Sequence, residues 1–219
     1  MQGVHPRLSN PEEGKTCLAG IDLAGERIGV PGNSPNFCGD SQDSTAIPIA
    51  EMDSTRMGQV RLADPTQKVV EHYQWTGIPH SQLYGQMVGV IEKWNCHRVL
   101  VDATGIGQPV ASFLKAQLGS KIIPFTFTQQ SKSAMGFELL ALVNSGRLKI
   151  YQQDGSPEYK ELFWQLEHAR AQYRPNQTMN FYVDPSEGHD DFLISLALVA
   201  EAAKYWSPRT AKGGLRNEL

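Results

Sequence analysis

Apolar residues fall first into short strand-like runs and then into alternating strand-like and helix-like segments. Leu18–Ala24 is an apolar run carrying one acid and predicts a buried strand. Gly25–Gln42, rich in Gly, Pro, Asn and Ser, reads as a loop. Thr45–Met52 predicts a second strand, with Pro48 pointing to an edge position or a bulge. Lys68–Thr76 alternates near period two and predicts a third. A helix then opens at Pro79, with Leu83, Met87, Ile91 and Trp94 at helical spacing. Arg98–Ala103 predicts a compact strand. It is followed by a Gly-containing turn at Thr104–Gly107 and a helix with Val110, Phe113, Leu114 and Leu118 on one face.

The second half continues the alternation. Lys121–Phe127 predicts a strand, and Ser133–Ser145 a helix stopped by Gly146. Leu148–Tyr151 reads as a short strand, Pro157–Tyr173 as an amphipathic helix and Asn180–Val183 as another short strand. Asp190–Lys204 is apolar nearly all round and predicts a buried helix. Strands first and alternation afterwards predict an α/β fold, a mixed sheet with helices on both faces. Residues 1–17 read as a flexible lead-in, 18–206 as one domain and 207–219 as a disordered basic tail.

Composition narrows the class. The 219 residues are 40% hydrophobic and 20% charged, values of an ordinary globular chain, and no apolar run is long enough to span a membrane. Cys17, Cys38 and Cys96 are odd in number and lack metal-ligand spacing, so reduced thiols are expected. The formal net charge of −3 argues mildly against bulk electrostatic attraction for nucleic acid. Metal-binding carboxylates would account for part of that deficit, because bound cations restore positive charge locally.

The chemistry lies in acids placed among strand residues. Asp22 sits inside Gly20–Ala24 and Asp102 ends Val99–Asp102, with no Lys or Arg beside either. Burying such carboxylates is costly unless something pairs with them. Asp190 and Asp191 follow Gly188 and His189 at the start of the last helix. Each has a structural alternative: turn chemistry for Asp102, helix capping for Asp190 and Asp191, an Asx turn for Asp43. Taken together they supply the parts of a two-cation site, with cations about 3.5–4 Å apart.

In this order and spacing, Gly20–Ala24, Asp43–Ala46, Val101–Gly107 and Gly188–Asp191 resemble the C-terminal nuclease domain of tailed-phage large terminases. Ser131-Lys132-Ser133 after the fifth strand adds to the likeness, which runs from about Leu18 to Ala203. The resemblance implies a ribonuclease H-like fold and a divalent-metal-dependent endonuclease. Such an enzyme cleaves concatemeric viral DNA during packaging, with Mg²⁺ or Mn²⁺, two ions, as cofactor. It implies Asp22 and Asp102 as ligands, Asp191 or Asp190 as the third, and Asp43 as an auxiliary acid. His189 is a candidate to assist, or a structural residue at the helix start. One cation would activate water and the other would stabilise the departing 3′ oxygen. The all-oxygen donor set favours Mg²⁺ or Mn²⁺ over Zn²⁺.

Two departures stand out. Related sequences often carry an acid where Ile194 stands, and the Gly25–Gln42 stretch is long, suited to a hairpin or a DNA-contacting loop. Lys132, Arg147 and Lys149 are the candidate contacts to double-stranded DNA. Trp75, Trp94 and Trp164 read as core. Gly14-Lys15-Thr16 is not a phosphate loop, because the position requiring glycine is Ser9 and no strand precedes it. The reading is therefore a nuclease domain without its ATPase motor. Its expected partners are that ATPase domain and a portal, with no membrane, in the cytoplasm of an infected host cell. The alternatives are a RuvC-like junction resolvase and a catalytically weak docking module of the packaging motor.

Overall fold

A computed structural model describes residues 3–24, 44–54, 65–105 and 107–206. The Gly25–Gln42 stretch, Asp43, Cys38 and the 207–219 tail lie outside the described residues. The strands are β1 (Thr16–Ile21), β2 (Ser44–Asp53), β3 (Thr66–Thr76), β4 (Arg98–Asp102), β5 (Ile122–Phe125), β6 (Leu148–Ile150), β7 (Arg170–Tyr173) and β8 (Met179–Tyr182). The helices are α1 (His80–Lys93), α2 (Gly107–Leu118), α3 (Gln129–Asn144), α4 (Pro157–His168) and α5 (Asp191–Ala202). Six strands form one mixed sheet in the order β5-β4-β1-β2-β3-β6, while β7 and β8 pair as a separate hairpin. β1 runs antiparallel to β2 and parallel to β4.

Period-two alternation assigns each face of the sheet. Cys17, Ala19 and Ile21 of β1, with Val99 and Val101 of β4, pack against α1 and α2. Leu83, Met87, Ile91 and Trp94 form the buried stripe of α1, as their spacing predicts. Leu18 and Leu100 face the opposite way, onto the cluster of α3, α4 and α5. By the same parity Asp22, just past β1, and Asp102, at the end of β4, turn toward α5. Nearly every residue of α5 is buried, in keeping with its all-round apolar sequence.

Several boundaries differ from the sequence reading, each for a local reason. Pro48 is not at an edge: β2 lies between β1 and β3, and the register shift falls beside it, at Ile49/Ala50. α3 starts at Gln129, four residues earlier than predicted, because Thr128 and Ser131 form a reciprocal capping box. The Pro157–Tyr173 segment is not one helix. α4 ends at His168 and Arg170–Tyr173 pairs with β8 instead, since strand pairing with Met179–Tyr182 satisfies its backbone.

The lead-in is hydrogen-bonded to the fold. Leu8 N donates to Val70 O at 2.9 Å and Gln152 N to His5 O at 2.9 Å. The Arg7 guanidinium pairs with Glu71 and Glu158 and donates to His72 O at 2.9 Å. Cys17 and Cys96 are buried free thiols. No helix among the described residues is long and apolar enough to cross a membrane.

Candidate active site

The parallel register of β1 and β4 pairs Ile21 with Val101, so Asp22 and Asp102 follow at neighbouring positions on adjacent strands. Strands so paired lie about 4.8 Å apart. The backbone of Asp22 is fixed from the other side by two bonds with Ala46, N to O at 3.1 Å and O from N at 3.0 Å. Its carboxyl is buried, and burial pushes its proton affinity well above the usual carboxylate range. Asp191, Asp102 and Asp190, in that order, push it further through like-charge repulsion.

Asp102 makes its predicted turn contact. Its Oδ1 accepts from Thr104 N at 2.8 Å, the turn contact expected of an Asp before Thr-Gly. Burial raises its carboxyl while the Thr104 bonds hold it down. The turn then folds tightly back: Gly105 has φ +55°, and a Cβ on Gly107 would collide with the Asp102 carbonyl oxygen. Only glycine lets α2 begin so close to the strand end.

Asp191 is the first residue of α5 and is buried. Its Oδ2 accepts from Ser44 N at 2.8 Å, which ties it to the start of β2. Asp190 is the residue at the N-cap, but its side chain makes no capping bond. Burial raises its proton affinity, against the pull of Lys132 first, then of nearby backbone N–H groups and His189. The cap comes from Gln165 on α4, whose Oε1 accepts from Phe192 N at 2.8 Å and from Leu193 N at 3.1 Å.

The structure therefore brings together Asp22, Asp102, Asp190 and Asp191, with His189 beside Asp190. Asp43 lies outside the described residues. Lys132 sits in the first turn of α3 rather than in a loop, with its ammonium 5.3 Å from the Phe181 ring centre. It lines a cleft between the start of α3 and the β7–β8 turn, which also holds Gln129, Arg174 and Asn180.

Arg147 and Lys149 are not brought to the acids. Leu148 stands in register with Gln67, Gln67 with Met52, and Met52 with Thr16, at the opposite end of β1 from Asp22. Six strand residues separate the two rows along β1, about 20 Å, and β6 is three places across the sheet. Sequence reasoning missed Ser44, which acts through its backbone, and Gln165. A signal existed for Gln165: it is a polar residue three positions after Leu162 and six after Tyr159, on the buried stripe of α4.

Among the described residues no three His, Cys, Asp or Glu side chains stand as a ready-made ion cage. The donor set nevertheless suits a hard cation. It is made of carboxylate oxygens, and the groups acting most strongly on buried Asp22 are other carboxylates.

A sequence profile for the terminase RNaseH-like domain matches residues 35–202. The fold is similar to that of the large terminase nuclease from thermophilic phage G20c, solved with bound magnesium. The TM-score is 0.65 at 17% identity, over 91% of this chain and 92% of that one. It is likewise similar to the large terminase nuclease domain of Thermus phage P74-26, with a TM-score of 0.60 at 16% identity over 90% and 89% of the two chains. The large terminase of bacteriophage HK97 matches 90% of this chain with 41% of its own, at 14% identity and a TM-score of 0.56. No curated protein sequence matches the chain. The mixed sheet with its five helices is thus ribonuclease H-like, as the sequence predicts.

Proposed function

The chain belongs to the terminase RNaseH-like domain family, and from that premise we propose that it is a divalent-cation-dependent endonuclease that cuts double-stranded viral DNA during genome packaging. The observation that carries this reading is the burial of Asp22 beside Asp102 and Asp191 at one end of the sheet, with like charges as its strongest electrostatic neighbours. A structural role alone leaves that arrangement unexplained, since buried like charges cost stability.

In this reading Asp22, Asp102 and Asp191 hold two ions, Mg²⁺ or Mn²⁺, with Asp190 and Asp43 as further acids. Bound cations of this kind activate water and stabilise the leaving oxygen of a phosphodiester. The protein's own part is positional. Asp22 is held by the β1–β2 bridge and Asp102 by Thr104, while Ser44 N orients Asp191. Lys132, whose charge acts on the Asp190 carboxylate, is the proposed contact to a backbone phosphate, and the position of β6 at the far end of the sheet speaks against Arg147 and Lys149 for that same phosphate. An ATPase domain and a portal are the partners proposed for the packaging assembly, in an infected host cell.

The test is plasmid cleavage by the purified chain with Mg²⁺, Mn²⁺ or EDTA, beside Asp22→Ala and Asp102→Ala. Cation-dependent cutting lost in both variants is the expected result. Cutting that survives both, or a parent chain that neither cuts DNA nor binds Mn²⁺, overturns the reading.

A further inference from the structure

The first turn of a helix leaves N–H groups without intrahelical acceptors, and the side chain at the N-cap normally takes the second or third of them. At α5 those positions are Phe192 and Leu193. Asp190, correctly placed to cap, does not do so. Both N–H groups go to Gln165 Oε1, which reaches them from the neighbouring helix.

Gln165 is 1% exposed, so water has little access to take over its role. The amide is held the right way round by its own helix. Its Nε2 donates to Glu161 Oε1 at 2.9 Å, one turn earlier, leaving Oε1 to face the α5 N–H groups. A flipped amide would set donors against donors at α5 and acceptor against acceptor at Glu161.

The consequence falls on the two acids. With its cap supplied from outside, α5 can begin with Asp190 and Asp191 both directed elsewhere. Asp190 makes no capping bond, and Asp191 accepts from Ser44 N and is the strongest like-charge neighbour of Asp22. We propose that Gln165 is a positioning residue that sets where the Asp191 carboxylate stands, and so sets the cation affinity of the carboxylate site. This rests on the function proposed above.

The experiment compares Gln165→Met, which keeps the bulk and loses the acceptor, with Glu161→Ala, which only loosens the amide. Three quantities are measured on the full chain: Mn²⁺ binding by calorimetry, plasmid cleavage against Mn²⁺ concentration, and thermal unfolding. Gln165→Met is expected to raise the half-saturating Mn²⁺ concentration by about 10–100-fold, the range for lost outer-shell partners. Saturating Mn²⁺ is expected to restore most of its rate, a rescue that a merely structural role would not show. Glu161→Ala shifts the curve in the same direction by less.

A lowered melting temperature with the parental Mn²⁺ dependence in both variants overturns the inference and leaves the proposed function standing. If Gln165→Met does not fold, Glu161→Ala decides alone, a shifted curve supporting the inference and a parental one overturning it. A parent chain that neither binds Mn²⁺ nor cuts DNA removes both readings together.

Discussion

Gly20 lies directly against the backbone of Ser195. A Cβ on Gly20 would run into the Ser195 carbonyl oxygen and stand 2.8 Å from both Leu198 Cβ and Val199 N. β1 and α5 are thus in backbone contact, two residues before Asp22 and one turn after Asp191. This close approach is what brings a strand acid and a helix acid to the same place.

Gly20→Ala is therefore expected to push α5 off β1. Overpacking of this kind costs about 1–3 kcal/mol, and each kcal/mol appears as about 2–4 °C of melting temperature in a domain of this size. Cleavage should fall further than stability does, because the displacement separates Asp191 from Asp22. Thermal melts and plasmid cleavage on one preparation check this; an alanine variant with parental activity would show that the contact does not control the site.

Asp22→Asn is expected to abolish cleavage and to stabilise the cation-free fold. Its loss of activity should exceed the ~10–100-fold typical of an outer-shell partner. The stability gain follows from sign. The folded-state proton affinity of Asp22 is raised by burial and by Asp191, so its charged form opposes folding. The variant's advantage should be largest near neutral pH without divalent cations, and should vanish once the medium is acidic enough to protonate the carboxyl in both states. Calorimetric melts in EDTA across pH test this, and an Asn variant less stable than the parent at pH 7 would contradict it.

Much of this was legible in the sequence because it is local. Asp22 and Asp102 stand out as acids inside or at the end of apolar strand runs, although only the register of β1 with β4 sets them side by side. The all-round apolarity of α5 tells that it is buried. What was not legible depends on partners distant in sequence. Arg147 and Lys149 look like any basic pair beside a strand, and only the sheet order places them at the far end. Gln165 reads as one more polar residue of an amphipathic helix, because the N–H groups it caps lie 27 and 28 positions away. Arg170–Tyr173 continues a helical pattern, and only pairing with β8 overrides it.

Asp190 and Asp191 are expected to separate by variant. Asp191 is the strongest like-charge neighbour of Asp22, whereas Asp190 is the weakest of the three acids acting on it and feels Lys132 instead. Asp191→Asn should lose cleavage nearly completely. Asp190→Asn should retain more of it and, because burial raises the Asp190 carboxyl as it raises that of Asp22, should not cost stability in the absence of cations. Cleavage rates and urea unfolding of the two variants measure this, and the reverse ranking would assign the ligand role to Asp190.

His72 is expected to make the fold acid-sensitive. Its ring is buried between Tyr151 and Phe192, with centroids 5.7 and 5.4 Å away, and among the described residues neither ring nitrogen has a hydrogen-bond partner. Burial first, and then the Arg7 guanidinium, push its pKa down to about 3 from an ordinary 6.5, against a smaller opposing pull from Asp154. Between those values the unfolded chain binds a proton that the folded chain does not, so stability rises with pH across that window and is lost as pH falls through it. The slope from this one group approaches about 1.4 kcal/mol per pH unit. His72→Leu removes the proton and the unpartnered nitrogens together. Its stability relative to the parent should therefore grow from pH 7 to pH 4, and the stake is functional because Phe192 follows Asp191 directly. Parallel stability–pH curves for parent and variant over that range would show that His72 is not the group responsible.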